Sequence, residues 1–292
     1  MNDFVACLHN DVVAIICKFL QPPDIITLYK MYPKILPKIR CMFNRRVGEE
    51  IDGFFRHTFK EKYSEFRKEM INSNAALSGS LILQACLGKR WAGHGFNRLD
   101  VDLFVRVNPI YQEYDRVENQ GRKERKYTFY NNKYKFKLGY TSLHHFLYKS
   151  KDSKNRMNQY VTHSQYMDEM GENVILRVNN YVMNRECIFQ VVEINQEKHK
   201  DFSAFINQTV DFDICKNLFI YTNEGFGIVL GDLEAILNTQ AKFNYTGSLT
   251  KSLDRCAKYM DRGFSFVAAD NLDNSALASF RNLKKDCNGN RK

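Results

Sequence analysis

Apolar residues recur at three-to-four spacing from Ile51 through Phe54, Phe55, Phe59, Tyr63 and Phe66 to Met70, with charged residues between them. That period predicts an amphipathic helix over 47–71, one face of which lies on a domain core. Upstream, Leu8 to Leu20 reads as a short apolar helix that Asn10 or Asp11 is placed to cap. Pro22-Pro23-Asp24 stops it and opens a second helix from Ile25 to Tyr32, which Pro33 closes. Residues 34–46 are basic through Lys34, Lys38, Arg40, Arg45 and Arg46, and read as a linker or as one positive helix face.

The period changes after Asn74. The run Leu81 to Leu87 is uniformly apolar and helix-like, and it follows the turn Ser78-Gly79-Ser80. From Arg98 to Val105 apolar and polar residues alternate, which predicts a strand. Val174–Val178 and Tyr181–Met183 read as strands around an Asn179-Asn180 hairpin turn, and Cys187–Ile194 as the next strand. Phe202–Asn207, Asp232–Leu237 and Ser252–Met260 read as helices, and an apolar element is expected over Leu218–Tyr221. Residues 112–137 and 149–173 are polar and read as loops or insertions; the tail 283–292, rich in Lys and Asn, reads as disordered. The alternation of strands and helices predicts an α+β (α/β-like) chain: a mixed sheet with flanking helices, preceded by a small helical module over 1–46, with the main domain over 47–282.

Composition narrows the class. A hydrophobic fraction of 44% supplies a core, so disorder is not the default expectation. The formal net charge of +10 favours polyanionic partners such as nucleotides or nucleic acid, although surface lysines alone also explain it. Eight cysteines form no C-x-x-C pair and stand beside no histidine at zinc spacing, so they read as buried free thiols in a reducing compartment. With no secretory signal pattern and no run long enough to cross a bilayer, the expectation is an intracellular, cytoplasmic protein without a membrane partner.

The candidate chemistry gathers at two places. Gly79 allows a close backbone approach, and a helix starting at Ser80 would present free N–H groups to a phosphate. Asp100 and Asp102, two apart on a strand, point to the same face. Two like charges that close are costly unless a cation sits between them, which points to Mg2+ or Mn2+. Lys89 and Arg90 follow the helix and are candidates for phosphate contact. Bland readings stand beside these: Ser80 as a helix cap, Lys89 and Arg90 as solvated loop cations, Trp91 as a packing residue, His94 as a surface histidine, and the cluster at 122–126 as an exposed insertion rather than a nucleic-acid grip. His144-His145 and His163 show no metal spacing.

The segments "LSGSLILQACLGKRW" and "LDVDLFV" resemble the first two motifs of the DNA polymerase β nucleotidyltransferase superfamily. The similarity is to a divergent branch found in fungi and large DNA viruses, and "IFQVVEIN", "FINQTVDFDICKN" and "RCAKYMDRGFSF" extend it over roughly residues 75 to 266. The resemblance implies metal-dependent transfer of a nucleotidyl group from an NTP, with Asp100 and Asp102 on the metal and Gly79 and Ser80 on the β- and γ-phosphates. It implies RNA, a protein or a small molecule as acceptor and, for viral members, the host cytoplasm or the virion as location. It also implies a third carboxylate, for which Glu193 and Asp213 rank equally and Asp211 behind them. "LHNDVVAIICKFLQPPDIITLY" resembles an F-box, which implies docking on a ubiquitin-ligase adaptor through residues 8–32; packing on the protein's own core is the alternative.

Overall fold

The computed structural model describes residues 10–32, 36–91, 99–107, 111–113, 134–136, 141–150, 158–160, 174–183, 187–199, 201–243, 248–270 and 272–289. Seven strands form the central sheet: β1 (Ala75–Ser78), β2 (Leu99–Val107), β5 (Asn158–Tyr160), β6 (Ile175–Met183), β7 (Cys187–Asn195), β8 (Leu218–Thr222) and β9 (Gly225–Val229). Their order is β5-β6-β7-β2-β1-β8-β9. β2 and β7 run parallel and the other pairs antiparallel, so the sheet is mixed. Two short strands, β3 (Tyr111–Glu113) and β4 (Tyr134–Phe136), pair separately, as do β10 (Gln240–Phe243) and β11 (Ser265–Ala268). An α+β chain with a mixed sheet and flanking helices is therefore what the structure shows.

Alternation along the strands sorts the core into two layers. Leu77, Phe189, Val191 and Phe219 belong to the larger buried cluster, together with Phe55 of α3 (Leu36–Phe59) and Phe66 of α4 (Tyr63–Asn72). Ala76, Val178, Val192 and Leu218 belong to a second cluster, roofed by Phe202, Phe205 and Ile206 of α7 (Phe202–Thr209). The helices α5 (Ser80–Leu87), α6 (Ser142–Ser150) and α8 (Leu233–Asn238) complete the main body.

The N-terminal helices α1 (Asn10–Phe19) and α2 (Pro22–Met31) are not a separate unit. Val13, Cys17, Ile25, Ile26 and Tyr29 are buried in the same cluster as Phe55 and Leu77. Gly88 closes α5 at φ +59°, and Pro23 lies so near its Cα that a Cβ there would collide with the proline ring. The boundary expected at 46/47 falls inside α3, which runs unbroken from Leu36 to Phe59. The helix expected over 47–71 breaks at Lys60, a non-glycine residue at φ +48°.

Two other expectations are corrected. Asn179 and Asn180 are not a turn; they pair with Val191 and Gln190 of β7 inside a continuous strand. Residues 283–289 of the expected tail form helix, and 290–292 lie outside the described residues. α10 (Asn274–Gly289) packs Leu283 and Cys287 on the core, and Lys284 Nζ donates to the Phe266 carbonyl at 3.1 Å. Cys17, Cys86, Cys215 and Cys256 are buried free thiols, and Cys187 is buried as well.

Candidate active site

The site starts at the end of β1. Gly79 takes φ +83° and ψ −154°, a conformation that is essentially glycine-only, and turns the chain from strand into α5. A Cβ at this position would collide with Asp102 Oδ2. Gly79, not Ser80, is the N-cap, and no side chain caps the helix. Ser80 is the first helical residue, so its hydroxyl does not cap, and the first-turn amides of α5 face the site with the positive end of the helix dipole.

Ser78 stands directly opposite Asp102 across β1 and β2. Asp100 and Asp102 share a face of β2 while Val101 and Leu103 are fully buried on the other. Burial, then the charge of Asp100, pushes the Asp102 carboxyl up to about 7, while Lys258 and Arg255 pull it down. Those two cations lie on α9 (Leu249–Asp261), which brings Arg255, Lys258 and Tyr259 to the same pocket as Asp100 and Asp102. Arg255, Lys258 and Arg262 follow one another at three and four residues, along one side of the helix and the turn that ends it. Burial lowers the Lys258 ammonium, then Arg262 lowers it further; Asp100 and Asp102 oppose both. Arg262 stacks over Trp91 at 4.6 Å, feels the charge of Asp100, and holds Nη1 buried without a hydrogen-bond partner among the described residues.

Gly79, Ser80, Asp100, Asp102, Arg255 and Lys258 line a pocket of about 450 Å3. Gly79, Ser80, Asp100, Asp102 and Lys258 mark its polar end. Ile188, Val192 and Phe205 mark an apolar end.

The structure separates the other sequence candidates from this pocket, with one exception. Glu193 lies on the opposite face of the sheet, fully buried. There Arg177 Nε donates to its Oε2 at 2.9 Å, and His144 Nε2 lies 2.6 Å from its Oε1. His144 Nδ1 continues the network to the Tyr181 hydroxyl at 2.7 Å, so this histidine is structural, whereas His145 is exposed. The parity of β7 explains the displacement: Gln190, not Glu193, stands beside Asp102 in register. Gln190 Nε2 donates to Asn180 Oδ1 at 3.1 Å, so a pair of amides occupies the flank where a third carboxylate would be needed.

Asp213 opens a 3-10 turn rather than a strand and accepts from the backbone N–H groups of Ile214 at 2.8 Å and Lys242 at 3.1 Å. Asp211 is the exception. It lines the pocket, paired with Arg255 and accepting from the Ser252 hydroxyl at 2.8 Å. Lys89 is exposed, and Arg90 sits 5.7 Å from the Phe54 ring beside a different cavity, behind the sheet. Trp91 packs edge-on against Tyr259 and Phe264 at 6.3 Å, as a packing residue does. His94, His163 and the 122–126 cluster lie outside the described residues.

Sequence reasoning missed the cationic side of the pocket. Its signal was available: Arg255, Lys258 and Arg262 share helical spacing, but nothing in the sequence tells that ladder from a solvated face. No cluster of three His, Cys, Asp or Glu side chains able to hold a metal occurs among the described residues. Asp100 and Asp102 are two hard oxygen donors on one face, and the raised carboxyl records burial first and then repulsion from Asp100, both of which a divalent cation would offset. Such a donor set fits Mg2+ or Mn2+, which commonly takes one or two carboxylates and completes its shell with water and substrate phosphates.

No protein-family model matches the chain, and no curated protein matches it. Among solved structures it is similar to the Thermotoga maritima CCA-adding enzyme complexed with tRNA at 10% identity and a TM-score of 0.41, covering 77% of this chain and 42% of that one. Similar figures hold for a CCA-adding enzyme with CTP (9% identity, TM-score 0.40) and with ATP (10%, 0.41), each covering 80% of this chain and 44% of the other. The chain thus spans less than half the length of these structures. Scores of this size leave the function to be read from the site.

Proposed function

We propose that the protein is a nucleotidyltransferase-like NTP-binding protein that transfers a nucleotidyl group in a metal-dependent reaction. One observation carries this reading: the paired carboxylates lie between an uncapped helix start and a row of cations, an order of charges that matches a metal-bound triphosphate. The backbone at Gly79 and Ser80, with the Ser80 hydroxyl, binds the β- and γ-phosphates. Lys258 neutralises the phosphate charge from the α9 side and holds the leaving pyrophosphate. Asp100 and Asp102 hold Mg2+ or Mn2+, and the bound ion supplies charge neutralisation and activation of the attacking hydroxyl. Asp211 keeps Arg255 oriented at the rim. Neither Glu193 nor Asp213 is assigned to the reaction here, because each already serves a partner elsewhere in the fold.

Calorimetric titration of ATP, GTP, CTP and UTP with and without Mg2+ tests the binding half of this reading. Metal-dependent heat that the Asp100→Asn/Asp102→Asn variant lacks supports it; equal heat from both proteins rejects it.

A second reading has an observation of its own. Val12, Ile15, Ile16 and Phe19 form an i, i+3, i+4, i+7 row on α1 that stays exposed, Phe19 at 82%. A folded chain that docks on an adaptor through this row, with the pocket serving only for recognition, is the alternative function. Capture of a ubiquitin-ligase adaptor that depends on Phe19, without metal-dependent NTP binding, favours it.

A further inference from the structure

The polar and apolar ends of the pocket lie on opposite sides of Asp102 in the sheet. On one side β1 brings Ser78 and the Gly79 turn. On the other, β7 sets Ile188 beside Asp100, Gln190 beside Asp102 and Val192 beside Phe104. β6 extends this flank with Val178 opposite Val192. Phe205 of α7 roofs it, with its ring 5.7 Å from that of Phe104. Among the described residues the pocket's cations are Arg255 and Lys258 of α9, and Arg255 is already paired with Asp211.

Phosphoryl chemistry fixes what each side is for. Attacking and leaving oxygens lie roughly in line through the phosphorus. With the triphosphate tail on Gly79 and Ser80, the attacking hydroxyl approaches from the β7 flank. A polyanionic acceptor would need cations there, because phosphate contacts dominate nucleic-acid affinity. Among the described residues, the pocket lining on this flank is aliphatic side chains, the rings of Phe104 and Phe205, and an amide; Arg106, further along the same face of β2, lies over the Phe202 ring instead.

We infer that the acceptor is an uncharged alcohol or phenol on an apolar carrier, seated between Ile188, Val192 and Phe205 and positioned by Gln190. The inference rests on the nucleotide reading of the site. Gln190 donates through Nε2 to Asn180, which leaves its amide oxygen to accept from the acceptor hydroxyl. The acceptor oxygen then bonds to the α-phosphorus. The bond from that phosphorus to the oxygen bridging to the β-phosphate breaks, pyrophosphate leaves with the bonding pair, and the hydroxyl proton passes to water at the pocket mouth. Gln190 is a positioning residue in this scheme.

The test uses the full chain with Mn2+ and α-labelled NTP, and offers three acceptors: 2-phenylethanol, N-acetyltyrosinamide and a short oligoribonucleotide. The expected result is label on 2-phenylethanol or N-acetyltyrosinamide and none on the oligoribonucleotide; the labelled one tells a free small molecule from a protein side chain. Gln190→Leu is expected to raise the acceptor KM about 3- to 10-fold, the worth of one hydrogen bond, with kcat little changed. Gln190→Asn is expected to recover part of that loss. Ile188→Lys is expected to abolish binding of 2-phenylethanol, read by ligand-observed NMR without metal or nucleotide, while NTP binding persists. Label on RNA ends, or no labelled alcohol from a protein that binds NTP with metal, overturns the acceptor assignment and leaves the nucleotide site standing. Absence of metal-dependent NTP binding overturns the site reading and the acceptor assignment with it.

Discussion

Asp102 occupies the space that a side chain at position 79 would need: a Cβ on Gly79 would run into Asp102 Oδ2. The turn that presents the α5 amides and the strand that presents the carboxylates are thus fitted to each other. Gly79→Ala is expected to strain the backbone at φ +83° by about 1–3 kcal/mol and to displace Asp102. Thermal melting and Mg2+ titration read both effects. Gly53→Ala is the control. Nothing lies within 4 Å of a Cβ there, it is an exposed position in α3, and the change is expected to stabilise by up to about 1 kcal/mol.

The raised Asp102 carboxyl sets a pH dependence. Its folded value is about 7, against about 3.9 for an unfolded aspartate, so between those values the folded state binds more protons than the unfolded one. Stability contributed by this group therefore falls as pH rises from about 4 to about 7 and stays reduced above that range. Asp102→Asn is expected to raise the melting temperature at pH 8 and leave it nearly unchanged at pH 4, with roughly 2–4 °C for each kcal/mol recovered. In the wild type at pH 8, added Mg2+ is expected to restore much of the same stability. Melting curves at the two pH values, with and without metal, check the sign.

Gln190→Glu would place a carboxylate beside Asp102 on the β7 flank. The variant is expected to melt lower than wild type without metal, from like-charge repulsion, and to bind Mn2+ more tightly. A calorimetric Mn2+ titration measures the second effect. Equal affinity in the two proteins would show that Gln190 does not face the metal position.

Glu193→Gln separates a structural acid from a site acid. The wild-type carboxylate is fully buried between His144 and Arg177, and loss of one partner of a buried pair costs about 3–5 kcal/mol. Lower stability with unchanged metal-dependent NTP binding is the expected pattern, read by denaturant unfolding and calorimetry. Loss of metal binding at unchanged stability would return Glu193 to the site.

The N-terminal helices divide into a buried and an exposed face. Ile25→Ala is expected to destabilise the whole chain by about 2–5 kcal/mol, because Ile25 is fully buried in the main cluster. Phe19→Ser, at 82% exposure, is expected to leave the melting temperature within about 1 °C. Thermal melting of both variants distinguishes a module built into the core from one that merely hangs on it.

Period and local chemistry made part of this legible in the sequence. The 3.6-residue pattern marked the buried face of α3 and α4, and alternation marked β2 and put Asp100 and Asp102 on one face. The glycine-serine turn marked the start of α5. What failed depended on contacts that no local pattern carries. Asn179 and Asn180 look like turn residues but lie in a ladder, because β7 supplies partners along their whole strand. The polar C-terminal residues look loose, yet Leu283 and Cys287 give them a face to pack. Glu193 looked like a site acid because strand parity reveals which residues share a face, not which face meets Asp102; the register with β7 decides that. The α9 cations needed the tertiary fold to bring them from more than 150 residues away to the carboxylates.

The most direct test of the central claim is transfer of label from an α-labelled NTP in Mg2+ or Mn2+, with wild type beside the Asp100→Asn/Asp102→Asn variant. Wild type is expected to give labelled product and released pyrophosphate, and a variant that still folds neither. Equal label from both proteins, or no metal-dependent nucleotide binding by wild type, would contradict that claim.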